Sequence, residues 1–167
     1  MRFLDRPWAE GNRDGFDSAL HYDVYLRHLQ AIADDLPRKL RQFAILSEGM
    51  GLRGARLIKA RLNRGKGTLR VVLQLPSQHD IWAKVRMMFS KVNLDAFDAP
   101  SWKRACAKAA NECVTEEVDL APGGLFEHRM LFEPDGETSV VFKRFAMEIE
   151  ELPDGHLEPH GGWREDA

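Results

Sequence analysis

Between residues 16 and 36 the apolar side chains Phe16, Leu20, Tyr22, Tyr25, Leu26, Leu29, Ile32, Ala33 and Leu36 return every three or four positions, the period of a helix with one buried face. Asp14 or Asp17 supplies a capping carboxylate at its start. A break at Asp34-Asp35, with Pro37 suited to a first helical turn, predicts a second, shorter helix carrying Leu40, Phe43, Ala44 and Leu46. Glu48 to Gly54 holds three glycines in seven residues and reads as a loop.

The period then falls to two, which predicts strands. In residues 55–62 one alternating set is Arg56, Ile58, Ala60 and Leu62 and the other is Ala55, Leu57, Lys59 and Arg61; in residues 68–75 the apolar set is Leu69, Val71, Leu73 and Leu75. Glycines in Asn63 to Gly67 suit the positive φ of a short hairpin loop, so these two strands are antiparallel. After a turn at Pro76 to Asp80, Ile81, Ala83, Val85, Met87 and Phe89 alternate with Trp82, Lys84, Arg86, Met88 and Ser90. This is a third strand, with a helix as the alternative. An Ala-rich helix is expected from Ser101 to about Cys113, a strand over Thr115 to Leu120, and a hairpin of Leu125–Phe132 and Ser139–Phe145 about Pro134-Asp135-Gly136. Residues 146–152 continue as a strand, and 153–167 form a loop-like tail rich in Gly, Pro and His.

These elements predict an α+β fold: an N-terminal helical pair packed on a curved, mainly antiparallel sheet of about six or seven strands interrupted by one helix. At 167 residues the chain fits one domain, over 1–152, followed by the tail. It is 44% hydrophobic and 30% charged, enough to bury a core. No apolar run approaches a membrane span, and charge and Pro7 interrupt any secretion signal, so the expected location is cytoplasmic and no membrane partner is expected. Cys106 and Cys113, seven apart on the expected helix, lie too far apart to bridge and read as reduced core residues.

Charge changes the picture. The net charge is -2, yet residues 38–108 carry sixteen Lys or Arg against four acidic residues, while residues 109–167 carry four against fifteen. Either the two halves neutralise each other within one sheet, or a basic face is left for an acidic partner. The densest part is Arg53 to Arg70, with seven basic residues and no acidic one.

Catalytic signatures do not emerge. There is no phosphate-binding loop, Gly49-Met50-Gly51-Leu52-Arg53-Gly54 is misspaced for a dinucleotide, and no nucleophile elbow is present. His156 and His160 have a metal-like spacing that Pro159 spoils, so neither metal nor cofactor is expected. His128 falls on the same strand side as Phe126, Met130 and Phe132, and Glu116-Glu117, Glu148, Glu150 and Glu151 read as solvated strand edges.

The leading expectation is therefore a non-enzymatic interaction protein, of immunity, inhibitor or operon-accessory type, that binds an acidic protein partner through Arg56, Lys59, Arg61, Arg70, Lys84 and Arg86. One alternative is a ligand-binding or enzymatic domain with a pocket between the first helix and the sheet, lined by Tyr22, Tyr25, His28, Trp82 and His128. A second is nucleic-acid binding through the Arg53–Arg70 hairpin. Edge strands also leave a homodimer open.

Trp8 ahead of a Tyr-containing helix, the Leu36-Pro37 break, the basic hairpin, the crossing helix, and above all the segment Phe126 to Glu137 followed by Val140-Val141-Phe142-Lys143 together resemble a family of uncharacterised bacterial domains. The resemblance implies the fold and a bacterial source, and no activity. Where that family opens its first strand with Leu-His-Asp, this chain has Gly51-Leu52-Arg53-Gly54-Ala55-Arg56, so no polar site carries over.

Overall fold

Tyr25, Leu29 and Ile32 form the buried stripe of helix α2 (Ser18–Ile32), and a 3-10 turn at Ala33–Asp35 leads through Pro37 into α3 (Arg38–Ser47), which buries Leu40, Phe43 and Ala44. The computed structural model describes residues 2–9, 18–76, 82–109, 111–134, 136–153 and 155–167. Phe16, the capping candidates Asp14 and Asp17, His79-Asp80, Ile81 and Asp135 lie outside the described residues. A single turn, α1 (Arg6–Ala9), precedes the helical pair.

The sheet is β1 (Arg56–Asn63), β2 (Thr68–Leu75), β3 (Trp82–Ser90), β4 (Glu112–Ala121), β5 (Leu125–Glu133), β6 (Glu137–Phe142), β7 (Arg144–Leu152) and β8 (Gly162–Asp166). Its order is β6-β5-β4-β1-β2-β3-β7, antiparallel throughout, with β8 added parallel to β1. The α+β class, the helical pair and the mainly antiparallel sheet are as expected. The two outermost strands, β6 and β7, are separated only by Lys143, so one bent segment pairs β5 with its first half and β3 with its second. That continuity requires a strongly curved sheet, whose concave side holds Leu62, Leu69, Val71, Leu73, Val85, Met87, Phe89, Met130, Phe132 and Phe142.

Three expectations are corrected. The helix of residues 101–113 is α4 (Ala99–Ala105), capped by the Asp98 carboxylate on the Ser101 N–H at 3.2 Å and stopped where the Asn111 side chain donates to the Ala105 carbonyl at 2.6 Å. Pairing with β5 along its length extends β4 back to Glu112, so Cys113 sits in a strand. Both cysteines are free and buried; burial pushes the Cys106 thiol up to about 12 and Cys113 well above its ordinary value, leaving neither as a thiolate. Finally, the tail is not loop throughout: β1 pairs β4 only at Arg56↔Glu112, and β8 fills its remaining open edge while Trp163 packs against Phe97 and Trp102.

Candidate functional site

Alternation in β2 and β3 is regular, so with Val71, Leu73, Val85 and Met87 inside, Arg70, Val72 and Gln74 and then Trp82, Lys84, Arg86 and Met88 fall on the convex face. On β1 the pattern alone is ambiguous, and a bulge between Leu57 and Lys59 resolves it. Leu57 and Ile58 are both buried; past the bulge Lys59 and Arg61 face outward opposite Val72 and Arg70. All six predicted cations therefore share one face. Lys59, Arg61, Arg70, Lys84 and Arg86 line a cleft of about 480 Å³, roofed by residues 158–162 and joined by Arg164 from β8. Arg56 flanks it, with its guanidinium 3.2 Å from the Glu158 carbonyl. Arg164 was not foreseen, because five residues behind two glycines carry no strand signal of their own.

Neutralisation is partial and localised. Register places Lys84 opposite Glu150 and Arg86 opposite Glu148, and Arg86 pairs with Glu150, Lys84 with Glu158, and Arg61 with Asp166. The β3–β7 edge of the face is thus balanced. Toward β1 and β2, Lys59, Arg70 and Arg164 are exposed and have no ion-pair partner among the described residues.

The five residues expected to form a pocket are not brought together. Trp82 lies on the convex face opposite Leu152, whereas His128 is on the concave side between Phe43 and Phe89 with ring centroids 5.6 and 5.7 Å away. The Tyr25 hydroxyl accepts the Val118 N–H at 3.1 Å, and His28 Nε2 lies 2.8 Å from Asp119 Oδ1. Tyr22 is half-buried on the same helix; burial, then Glu48 and Glu116, raise its hydroxyl above the ordinary value. A groove of about 560 Å³ does open beside α3, but none of the five lines it. Phe43, Leu46, Leu52, Leu75, Val85, Met147 and Ile149 give it an apolar wall, with Lys39 at its rim.

The acidic pair read as a solvated edge is buried, Glu116 at 0% and Glu117 at 1% exposure. Every residue from Thr115 to Asp119 is covered, because the 48–52 turn closes on Glu116, residues 2–4 close on Glu117, and α2 lies against Val118 and Asp119. Gly49 makes the first contact possible: at φ +78° it lies so close that a Cβ there would meet the Glu116 carbonyl at 2.8 Å. Asp119 is pushed upward by burial, but hydrogen bonds from His28, the Leu120 N–H and Arg2 outweigh this and hold its carboxyl below the usual range.

Burial is also the main cause that raises Glu116 to about 7, against lowering by the Leu52 N–H, the Ser47 side chain and the Gly51 backbone. An acid whose folded pKa is raised stabilises the fold below its ordinary value, 4.5, and loses that contribution as pH rises through 7. Glu116 thus removes up to about 3 kcal/mol between those pH values. Glu116→Gln is expected to abolish the loss, so that urea midpoints of the variant gain on wild type between pH 5 and 8; parallel curves would refute it.

Among the described residues no group of three or more His, Cys, Asp or Glu side chains is placed to hold a metal, and no helix is long and apolar enough to cross a membrane. Comparison with known proteins finds no matching family model, no matching curated protein and no matching solved structure.

Proposed function

We propose that the protein is a non-enzymatic interaction module, of immunity, inhibitor or operon-accessory type, that captures an acidic protein partner on the convex face of β1, β2 and β3. The observation that carries this reading is the convergence of Arg56, Lys59, Arg61, Arg70, Lys84, Arg86 and Arg164 on one face, with only Glu148, Glu150, Glu158 and Asp166 among them in the described residues. The surplus lies at Lys59, Arg70 and Arg164, where an incoming carboxylate meets no fixed competitor among the described residues. Such a face speeds encounter and selects partners, and its effect weakens with salt.

Reversing Lys59, Arg70 and Arg164 together to Glu is expected to reduce capture of the cognate protein about tenfold or more at low salt. The melting temperature stays within about 3 °C, because these are exposed positions. Unchanged capture by a folded variant would overturn the reading. The apolar groove beside α3 favours a second reading, ligand binding, because its wall is apolar and of ordinary ligand-site size.

A further inference from the structure

On the reading just given, the face already has an occupant. We infer that residues 156–161 sit where an extended acidic segment of the partner docks, and that the partner binds by displacing them. Glu158 is ion-paired with Lys84, and the two side chains are only 16% and 13% exposed. The other pairs of the face are looser: Arg86 and Glu150 are 43% and 48% exposed, Arg61 and Asp166 56% and 32%. Glu158 is therefore seated, where the others are surface pairs.

The seat also reads peptide groups. The Glu158 N–H donates to Gln74 Oε1 at 3.0 Å, Arg56 Nη2 donates to the Glu158 carbonyl at 3.2 Å, and Gln74 Nε2 donates to the His156 carbonyl at 2.6 Å. Gln74 is 1% exposed beneath this segment. A carboxylate side chain flanked by its own peptide N–H and C=O satisfies Lys84, Gln74 Oε1 and Arg56 together. A phosphodiester has no donor for Gln74 Oε1, so the chemistry selects an extended acidic peptide over a nucleic-acid strand.

The covering segment is built to lift and return. Gly155 and Gly162 bound it, both in left-handed backbone at φ +71° and +62°, which lets the chain redirect at each end. Beyond Gly162, β8 stays paired to β1 and Trp163 stays stacked on Phe97 and Trp102 at 6.0 and 6.5 Å. Only the stretch between the glycines has to move. Lifting it joins the Lys84 seat to the open row of Lys59, Arg70 and Arg164 along the same cleft.

The test is fluorescence-anisotropy titration of the full chain with a labelled oligoglutamate peptide, beside a single-stranded DNA oligomer of equal charge. Glu158→Ala is expected to bind the peptide about fivefold tighter than wild type, the effect of one ion pair. Hydrogen exchange at the amides of Glu158 and Gly161, which donate to Gln74 Oε1 and the Ile58 carbonyl, should rise in wild type when peptide is bound. Equal or weaker binding by Glu158→Ala, or no change in exchange, overturns the displacement while Lys59→Glu/Arg70→Glu still abolishes binding and preserves the basic-face reading. Peptide binding indifferent to that double reversal overturns both. Tighter binding of the DNA overturns the peptide assignment.

Discussion

Replacing Glu117 with Ala is expected to lower the unfolding free energy by about 3 to 5 kcal/mol, the loss that follows when one member of a buried, hydrogen-bonded charge network is removed. Three consecutive backbone N–H groups converge on this carboxylate: Arg2 at 2.9 Å, Phe3 at 2.6 Å and Leu4 at 2.5 Å. Arg129 Nη1 reaches it at 3.2 Å, and the side chain is fully buried. Alanine leaves those donors unpaired and strands Arg129 beside Glu127 and Asp119 alone. It also releases residues 2–4, including Leu4, which is 0% exposed, and Phe3, which packs on Tyr25 and His28. A thermal scan at pH 7 should show the midpoint about 10 °C lower. A drop under about 3 °C would mean that Glu117 does not hold the N-terminal segment to β4.

His128→Leu is expected to stabilise the protein, and to do so more in acid than at neutrality. Both ring nitrogens are buried without a hydrogen-bond partner among the described residues. Burial pushes the imidazole down to about 3. A histidine with a depressed folded pKa supports the fold above its ordinary value of 6.5, and its neutrality becomes progressively costly as pH falls from there toward 3. Removing it should gain about 2 kcal/mol more at pH 5 than at pH 7. Leucine is of similar size and leaves no orphaned polar atom between Phe43 and Phe89. Its slope opposes that of Glu116 between pH 5 and 6.5, so each single variant tilts the stability profile in the opposite sense. Loss of stability in His128→Leu at pH 5 would show that the imidazole has a partner worth more than its burial costs.

The hairpins were legible because each is punctuated by glycine or proline between alternating runs: Gly65 and Gly67 between β1 and β2, Pro134 and Gly136 between β5 and β6. The basic face was legible for the same reason, since period two places Lys59 with Arg61 and Lys84 with Arg86 whichever face is buried. What the pattern could not decide was the phase of β1, which a bulge resets at Ile58. Glu116 and Glu117 were misread because adjacent charges on a strand ordinarily leave one in water. Here the Gly49 turn reaches Glu116 and residues 2–4 reach Glu117, contacts between positions more than sixty residues apart. The Ala-rich stretch after Ser101 favoured helix locally, but pairing of β4 with β5 starts at Glu112 and overrides it. Strand β8 has no local signal at all; the vacant edge of β1 specifies it.

The pocket expectation failed for a parity reason. Trp82 shares the phase of Lys84 and Arg86, so it cannot face His128, which belongs to the opposite side of the curved sheet. The groove that does exist draws on α3 and β7, whose apolar residues Leu46 and Ile149 are 86% and 61% exposed. It is the natural competitor of the basic face as the place where another molecule settles.

Shift mapping by NMR during titration with the oligoglutamate peptide separates the two most directly. Side-chain and amide shifts are expected to concentrate at Lys59, Arg70, Arg86 and Arg164, and to collapse when salt is raised well above physiological strength. Shifts centred on Leu46, Met147 and Ile149, persisting at high salt, would contradict the basic-face reading and move the site to the groove.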